Sequence, residues 1–478
     1  MGLKSAESRT IVGRMGEIVI VSATTALAVF LVFFALSWAS LGADRTAMTN
    51  QVRAAFASGE LRPDASWLFG DTVIGVHQYN DCLILFQAID DRAPRLERAV
   101  SPLSTVPSET SSCTDLQRLI DTGAGQPPYF YHRYLHGHTT LARLLVPTIG
   151  VAGLRGLYKL TLSLVLLAGT GFAMLEIARR RRVVENAVWL IIFAVFARYF
   201  GLESFGQSLS HAPADLTVLG FVLLISRASA DRPISRRLAL IVAALFGALT
   251  IEFEFLTGGL PLGLAVTIGA LPLALAADGK ALTTAADAAV SFAVGVATCL
   301  IGKAILLVAV FGTAPLTETA GQFLFRTGLS HAANRDQPAG WGEFFSHTYA
   351  GLESLAPGMP WLAIGSLALA LGAGIWGYRL LRRDADAGVR ARATALAGSN
   401  VVLLLWMVLF WQHTAEHAWF IDRILAWTLA SGFALFFLAV ATNDHSSALP
   451  TAHSPSPPAD RRRSSSCVAL PSRLLLSW

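Results

Sequence analysis

Four short stretches of this chain carry ionisable and hydrogen-bonding side chains that their apolar surroundings cannot leave idle without cost. The first is Tyr79-Asn80-Asp81-Cys82, where a carboxylate stands just before a mostly apolar run that ends near Ala88. Asp81 suits two roles that do not exclude each other: capping the start of a helix that lies along the membrane, and taking a proton from a substrate hydroxyl. The second is Tyr131-His132-Arg133-Tyr134-Leu135-His136-Gly137-His138, with Pro127-Pro128 ahead of it. Such a density of donors and rings suits sugar hydroxyls and a phosphate, with aromatic faces for stacking. Tyr and Arg also anchor chains in the headgroup zone, although three His exceed what anchoring needs. His132, His136 and His138 are also a conceivable metal set, but no carboxylate at a metal-ligand spacing accompanies them.

The third stretch is Glu252-Phe253-Glu254-Phe255-Leu256-Thr257-Gly258-Gly259, two carboxylates ahead of a glycine pair. Burial raises the pKa of an isolated carboxyl, so an acid placed there wants a partner or a ligand; the plainer reading is the polar tip of a tight turn. The fourth is His413-Thr414-Ala415-Glu416-His417-Ala418-Trp419-Phe420-Ile421-Asp422-Arg423. On a helix, His413 and His417 share a face at i and i+4, and Arg423 is a natural phosphate ligand unless Asp422 or a neighbouring acid neutralises it. Lys303, in an apolar run, either snorkels outward or pairs with one of the acids.

The elements that must position these groups are membrane helices. Of the 478 residues 54% are hydrophobic and only 14% charged, against about 25% charged in soluble domains, which excludes an ordinary soluble enzyme. Apolar runs predict ten spans, at 16–40, 156–178, 184–200, 213–228, 238–254, 256–277, 286–312, 359–381, 393–412 and 421–441. Lys4, Arg9 and Arg14 precede the first, which is too long for a signal-peptide core and reads as a retained anchor with residues 1–15 cytoplasmic. Alternation then puts Arg179 to Arg182, the Arg232/Arg236/Arg237 group, Lys280, the Arg379 to Arg392 group and Arg461 to Arg463 on the cytoplasmic side. The net charge of +5 is thus topological and implies no nucleic acid.

That topology leaves two large segments outside, 41–155 and 313–358, followed respectively by spans two to seven (156–312) and eight to ten (359–441). The first outer segment holds eleven of the 32 acidic residues, so polar chemistry gathers on the outer face. A Ser/Thr/Pro-rich connector is expected from Ser101 to Ser112, and an interfacial helix from Thr139 to Val151. Cys82 and Cys113 both lie outside, where a disulfide can form; Cys299 reads as a small apolar residue within a span. The tail, 442–478, reads as disordered and cytoplasmic. No internal repeat is visible, which weakens a transporter built from duplicated halves.

The four stretches resemble a family of bacterial multi-span proteins associated with cell-surface polysaccharides. The resemblance rests on Asn80-Asp81, on Tyr131-x-Arg133-Tyr134-Leu135-His136-Gly137, on Phe253-Glu254-Phe255-Leu256-Thr257, and on His413/His417 with Phe420 and Arg423. The family has Trp where this chain has Leu135, and Asp where it has Glu254. The layout is also similar to the GT-C class of membrane glycosyltransferases, which use sugars carried on polyprenyl phosphate. The resemblance implies an all-α, GT-C-like integral membrane fold with a large first extracytoplasmic loop, and an inverting glycosyltransferase at the outer face of a bacterial inner membrane. It would use a lipid-linked sugar donor and a glycan or lipid acceptor, among membrane lipids. Asp81 would then act as base, with Asp44 and Asp71 as the other choices in the loop. Glu254 would position the acceptor or a divalent cation. Arg133, Tyr134, His136, His413, His417 and Arg423 would bind the donor. A transporter or flippase of a lipid-linked saccharide, or a non-catalytic assembly protein, is the competing reading.

Overall fold

The computed structural model describes residues 2–62, 66–69, 72–76, 78–105, 112–123, 129–199, 208–254, 258–276, 280–329, 340–356 and 359–447. Asp71, the turn residues Phe255 to Thr257, most of the connector before Ser112 and the tail from 448 onward lie outside the described residues, as does the side chain of Phe420. The helices in order are α1 (Gly2–Ser40), α2 (Arg45–Ala57), α3 (Tyr79–Ile89), α4 (Arg95–Val100), α5 (Ser112–Thr122), α6 (Gly137–Ala178), α7 (Val183–Tyr199), α8 (Ser208–Ala228), α9 (Arg236–Glu252), α10 (Gly259–Ala274), α11 (Ala281–Phe311), α12 (Ala314–Arg326), α13 (Trp341–Gly351), α14 (Pro360–Asp384), α15 (Ala387–Leu409), α16 (Trp411–Ile421) and α17 (Ala426–Ser447). Two small antiparallel pairs complete the described part: β1 (Ser66–Phe69) with β2 (Thr72–Val76), and β3 (Leu103–Ser104) with β4 (Tyr129–Phe130).

The chain is an all-α, multi-pass membrane protein. Among the described residues seven helical stretches are long and apolar enough to cross a bilayer: Gly13–Ser40, Gly137–Ala178, Ser208–Ala228, Ala281–Phe311, Pro360–Asp384, Ala387–Leu409 and Asp422–Asn443. The three other expected spans are the helices α7, α9 and α10, of 17, 17 and 16 residues. At 1.5 Å per residue they reach roughly 24–26 Å, short of about 30 Å of hydrocarbon.

The shortness of α9 and α10 recesses the turn between them. Helices α9 and α11 run parallel and in register: Arg236 Nε bonds Asp287 Oδ2 at 2.8 Å near their starts, and Gly295 packs on the backbone of Ala244 halfway. Lys303 and Glu252 line one cavity at the end of α9. From Ala304 to Phe311, α11 runs on past that point for about 12 Å. The described residues on either side of the turn, Glu252 to Glu254 and Gly258, therefore lie recessed within the bundle. Helix α10 descends from the turn with nearly every side chain buried, which is why its sequence is apolar all round.

The two ends of the bundle differ as the basic clusters predict. At one, Arg14 and Arg236 both hold Asp287, Arg236 also holds Glu17, and Arg182 and Arg392 share Glu185. Arg182 and Arg392 further donate to the carbonyls of Leu273, Pro272 and Leu275 at the end of α10. One set of these bonds ties together the starts of α1, α9 and α11, and the other ties the starts of α7 and α15 to the end of α10. The 41–155 segment covers the opposite end, where Ser37 donates to the Ala99 carbonyl.

Within that segment α3 is buried along almost its whole length, and Cys82 and Cys113 form a disulfide that joins α3 to α5. The expected interfacial helix is the first part of α6. A break at Gly150 (φ 71°) separates it from the long span, and a side chain at Gly150 would meet Gln51 of α2. One face of it, with His138, Thr139, Ala142, Arg143 and Val146, is buried against the protein, while Leu144 and Ile149 on the other face are exposed. The disulfide closes 31 residues of sequence, which restricts the unfolded chain by about 3–4 kcal/mol. Cys82→Ser with Cys113→Ser is expected to lower the melting temperature of the detergent-solubilised protein, and a reductant should shift the wild type but not the double variant.

Candidate functional site

Asp81 is the third residue of α3 rather than its cap; Gln78 holds that position. Its carboxylate is fully buried, and its oxygens accept from Arg155 Nη2 (2.6 Å), Arg155 Nε (3.2 Å), the Leu209 backbone N–H (2.8 Å) and Ser208 Oγ (3.3 Å). Arg155 also grips Glu60 at 2.6 Å. Asp81 therefore caps the start of another helix, α8, and locks α3 to α6. Burial raises its pKa, opposed by the Arg155 guanidinium and these hydrogen bonds. Asp44, the loop alternative, caps α2 by accepting from Ala47 N–H at 3.0 Å.

The other three stretches converge, and Arg326 of α12 joins two of them. Its Nη1 lies 3.2 Å from both ring nitrogens of His413, and its guanidinium sits 5.7 Å from the centre of the Tyr134 ring. His413 packs edge-on against His417 at 4.7 Å between ring centres. The shared face predicted for this pair is thus present, although α16 departs from helical geometry at His417 itself (φ −133°, ψ 31°). The recessed turn meets the same region: Gly258, at φ 96°, packs on Ile421 and Ile424, which flank Asp422 and Arg423. Glu254 is buried at that turn and accepts from the Gly258 N–H at 3.1 Å. A side chain at Gly259 would collide with its other carboxylate oxygen, so the glycine pair both turns the chain and seats the acid at the start of α10. Glu254 also acts electrostatically on Tyr134.

Arg423 is neutralised by Asp215 of α8 at 3.2 Å. Asp422, the neighbour expected to do so, instead lies fully buried against Gly351, and neither of its oxygens has a hydrogen-bond partner among the described residues. His138 donates to the Ser210 carbonyl at 2.9 Å and packs edge-on against Phe253, linking the start of α6 to α8 and to the recessed turn. Arg133 stands at the rim: Nη2 is 3.2 Å from Tyr129 Oη and 3.5 Å from Glu318 Oε1. His132 stacks on Phe130.

Lys303 interacts electrostatically with Glu252, although among the described residues the two form no close ion pair. Lys303 is buried and donates to the Val100 carbonyl, in a cavity that Glu252 and His136 also line. His136 donates to the Tyr131 carbonyl at 3.0 Å. Burial, reinforced by the charge of Lys303, holds its pKa well below the ordinary 6.5, so it is a neutral hydrogen-bonding group and not a counter-charge for phosphate. The Tyr131 and Tyr134 phenols are both raised by burial and remain protonated donors. Because His136 stays neutral in the fold but protonates near 6.5 when unfolded, the unfolded state binds more protons in acid. Stability is expected to fall as pH drops below about 6.5, by up to about 1.4 kcal/mol per pH unit from this group. His136→Gln should flatten that slope in melting curves taken between pH 5 and 7.

The group that joins the cluster, Arg326, and the acid that holds Arg423, Asp215, are functional candidates that the four stretches do not contain. Asp215 left a signal, as the single acid inside an otherwise apolar span. Arg326 left none, standing in the second outer segment without a motif around it. Among the described residues no group of three or more His, Cys, Asp or Glu is arranged to hold a metal ion. No family model, no curated protein and no solved structure matches the chain.

Proposed function

We propose that this protein is a glycosyltransferase of ten membrane-crossing helices, with both termini cytoplasmic, that works at the outer face of a bacterial inner membrane. In this reading a polyprenyl-phosphate sugar is the donor and a growing glycan or lipid the acceptor. The observation that carries it is the meeting of Arg326, Tyr134, His413 and His417 near the recessed Glu254. Cationic and neutral donors gather there beside one seated carboxylate, at the end of the bundle covered by the 41–155 segment.

The chemistry divides as follows. The acceptor oxygen attacks the anomeric carbon, the bond from that carbon to the phosphate oxygen breaks, and the phosphate leaves with the electron pair. Glu254 takes the acceptor's proton as general base. Arg326 and Arg133 stabilise the charge that grows on the leaving phosphate. Arg423, held by Asp215, and the His413/His417 pair orient the sugar, while Tyr134 and neutral His136 supply uncharged hydrogen bonds. Asp81, its oxygens taken up by Arg155 and the start of α8, is a positioning residue in this scheme. Helices α7, α9 and α10 cross as short members of the bundle, because protein rather than lipid surrounds α10 and most of α9.

Purified protein given a panel of polyprenyl-phosphate sugars and an acceptor should release polyprenyl phosphate. The buried Glu252 and Lys303, rare within a span, favour transport of a lipid-linked saccharide as the second reading. It is distinguished by saccharide movement across proteoliposomes with no release of lipid phosphate.

A further inference from the structure

A second cluster of charge lies apart from the site above, where the end of α1 meets α2, α3, α4 and α6. A polar cavity of about 80 Å³ opens there, lined among others by Arg45, Arg98, Arg143, Asp44 and Asp91. With about 30 Å³ per liquid water, that is room for two or three waters or one compact oxyanion. Arg143 projects from the buried first part of α6 and is 3% exposed. Its Nη2 donates to the Gln87 carbonyl at 2.8 Å, but its Nε has no hydrogen-bond partner, and no carboxylate pairs with it among the described residues. A buried guanidinium without a countercharge is costly unless a ligand supplies one.

The acids in the cavity are already engaged. Asp91 holds Arg45 at 3.0 Å, and Asp44 caps α2. Arg98 donates its Nε to the Ala93 carbonyl; burial lowers its pKa, against the pull of Asp91 and Asp90. Arg98 and Arg143 thus face one polar cavity, and among the described residues neither forms an ion pair with a carboxylate. Planar guanidinium groups in that arrangement match a tetrahedral oxyanion.

We propose that this cavity binds a phosphate group, with Arg143 and Arg98 as its ligands. Trp38 and Arg95, stacked at 4.7 Å beside the end of α1, mark the level at which aromatic and basic side chains meet lipid headgroups. The phosphate can therefore arrive on an anionic phospholipid or as a free ion. This site does not depend on the glycosyltransferase reading, and its test needs no turnover.

The full-length protein, purified in mild detergent and delipidated, is titrated with inorganic phosphate. In parallel it is reconstituted in nanodiscs with or without phosphatidylglycerol, and bound lipid is counted by native mass spectrometry. The expected result is a rise in melting temperature with phosphate, one retained phosphatidylglycerol, or both. A response to phosphate alone assigns the free ion, and retained lipid alone assigns the headgroup. Arg98→Gln and Arg143→Gln should each weaken the response at least tenfold; Arg98→Gln keeps the test valid if Arg143→Gln fails to fold, because the Arg98 side chain is only partly buried. No phosphate effect together with no retained lipid, or equal responses in wild type and Arg98→Gln, overturns the proposal.

Discussion

Arg155→Met is expected to destabilise the protein by about 3–5 kcal/mol, because it strands the fully buried Asp81 carboxylate without its countercharge. Asp81→Asn should cost less, since an amide oxygen still accepts from Leu209 N–H. In the Arg155→Met background the Asn should restore part of the lost stability, because no charge is then left stranded. Thermal melts of the four proteins of this cycle give the coupling directly. A catalytic base would behave otherwise: Asp81→Asn would melt like the wild type and lose only turnover. An unchanged melting temperature in Arg155→Met would remove the clamp from the account.

Glu254→Gln is expected to keep the fold and lose transfer by a factor on the order of 10²–10⁴, the usual contribution of a positioned base. Gln still accepts from the Gly258 N–H, so the turn survives while the proton acceptor is gone. Glu254→Asp should retain part of the rate, since it shortens the reach by one methylene but keeps the charge. Gly259→Ala should act like the Gln variant by a different route, because the new methyl group occupies the space of the carboxylate oxygen. If Glu254→Gln turns over at the wild-type rate in the presence of a normal melting curve, Glu254 is a turn residue and nothing more.

Much of this arrangement is legible in the sequence alone. Periodicity and the placement of arginines give the helices and their two ends, because lipid requires apolar runs and a membrane sorts basic loops. The convergence of Tyr134, Glu254, His413 and Arg423 is legible only as three of the four crowded stretches at one end of the bundle. What joins them is not. Arg326 sits in a segment with no motif, and its contacts with Tyr134 and His413 exist only through the fold. Asp81 shows the opposite failure: its sequence setting suits a cap or a base alike, and only the tertiary partner Arg155, seventy-four positions away, separates a clamp from a catalyst. The recessed turn was equally hidden, since it depends on the parallel register of α9 and α11, which a short α10 permits and hydropathy does not reveal.

The central claim is that the recessed carboxylate serves glycosyl transfer, and one measurement tests it most directly. Purified wild type and Glu254→Gln are each incubated with a panel of polyprenyl-phosphate sugars and an acceptor glycan, and released polyprenyl phosphate is quantified over time. The account predicts release by the wild type with at least one donor, accompanied by elongation of the acceptor, and at least a hundredfold slower release by the variant. Equal release by both proteins, or no release from any donor while saccharide crosses a proteoliposome membrane, would contradict it.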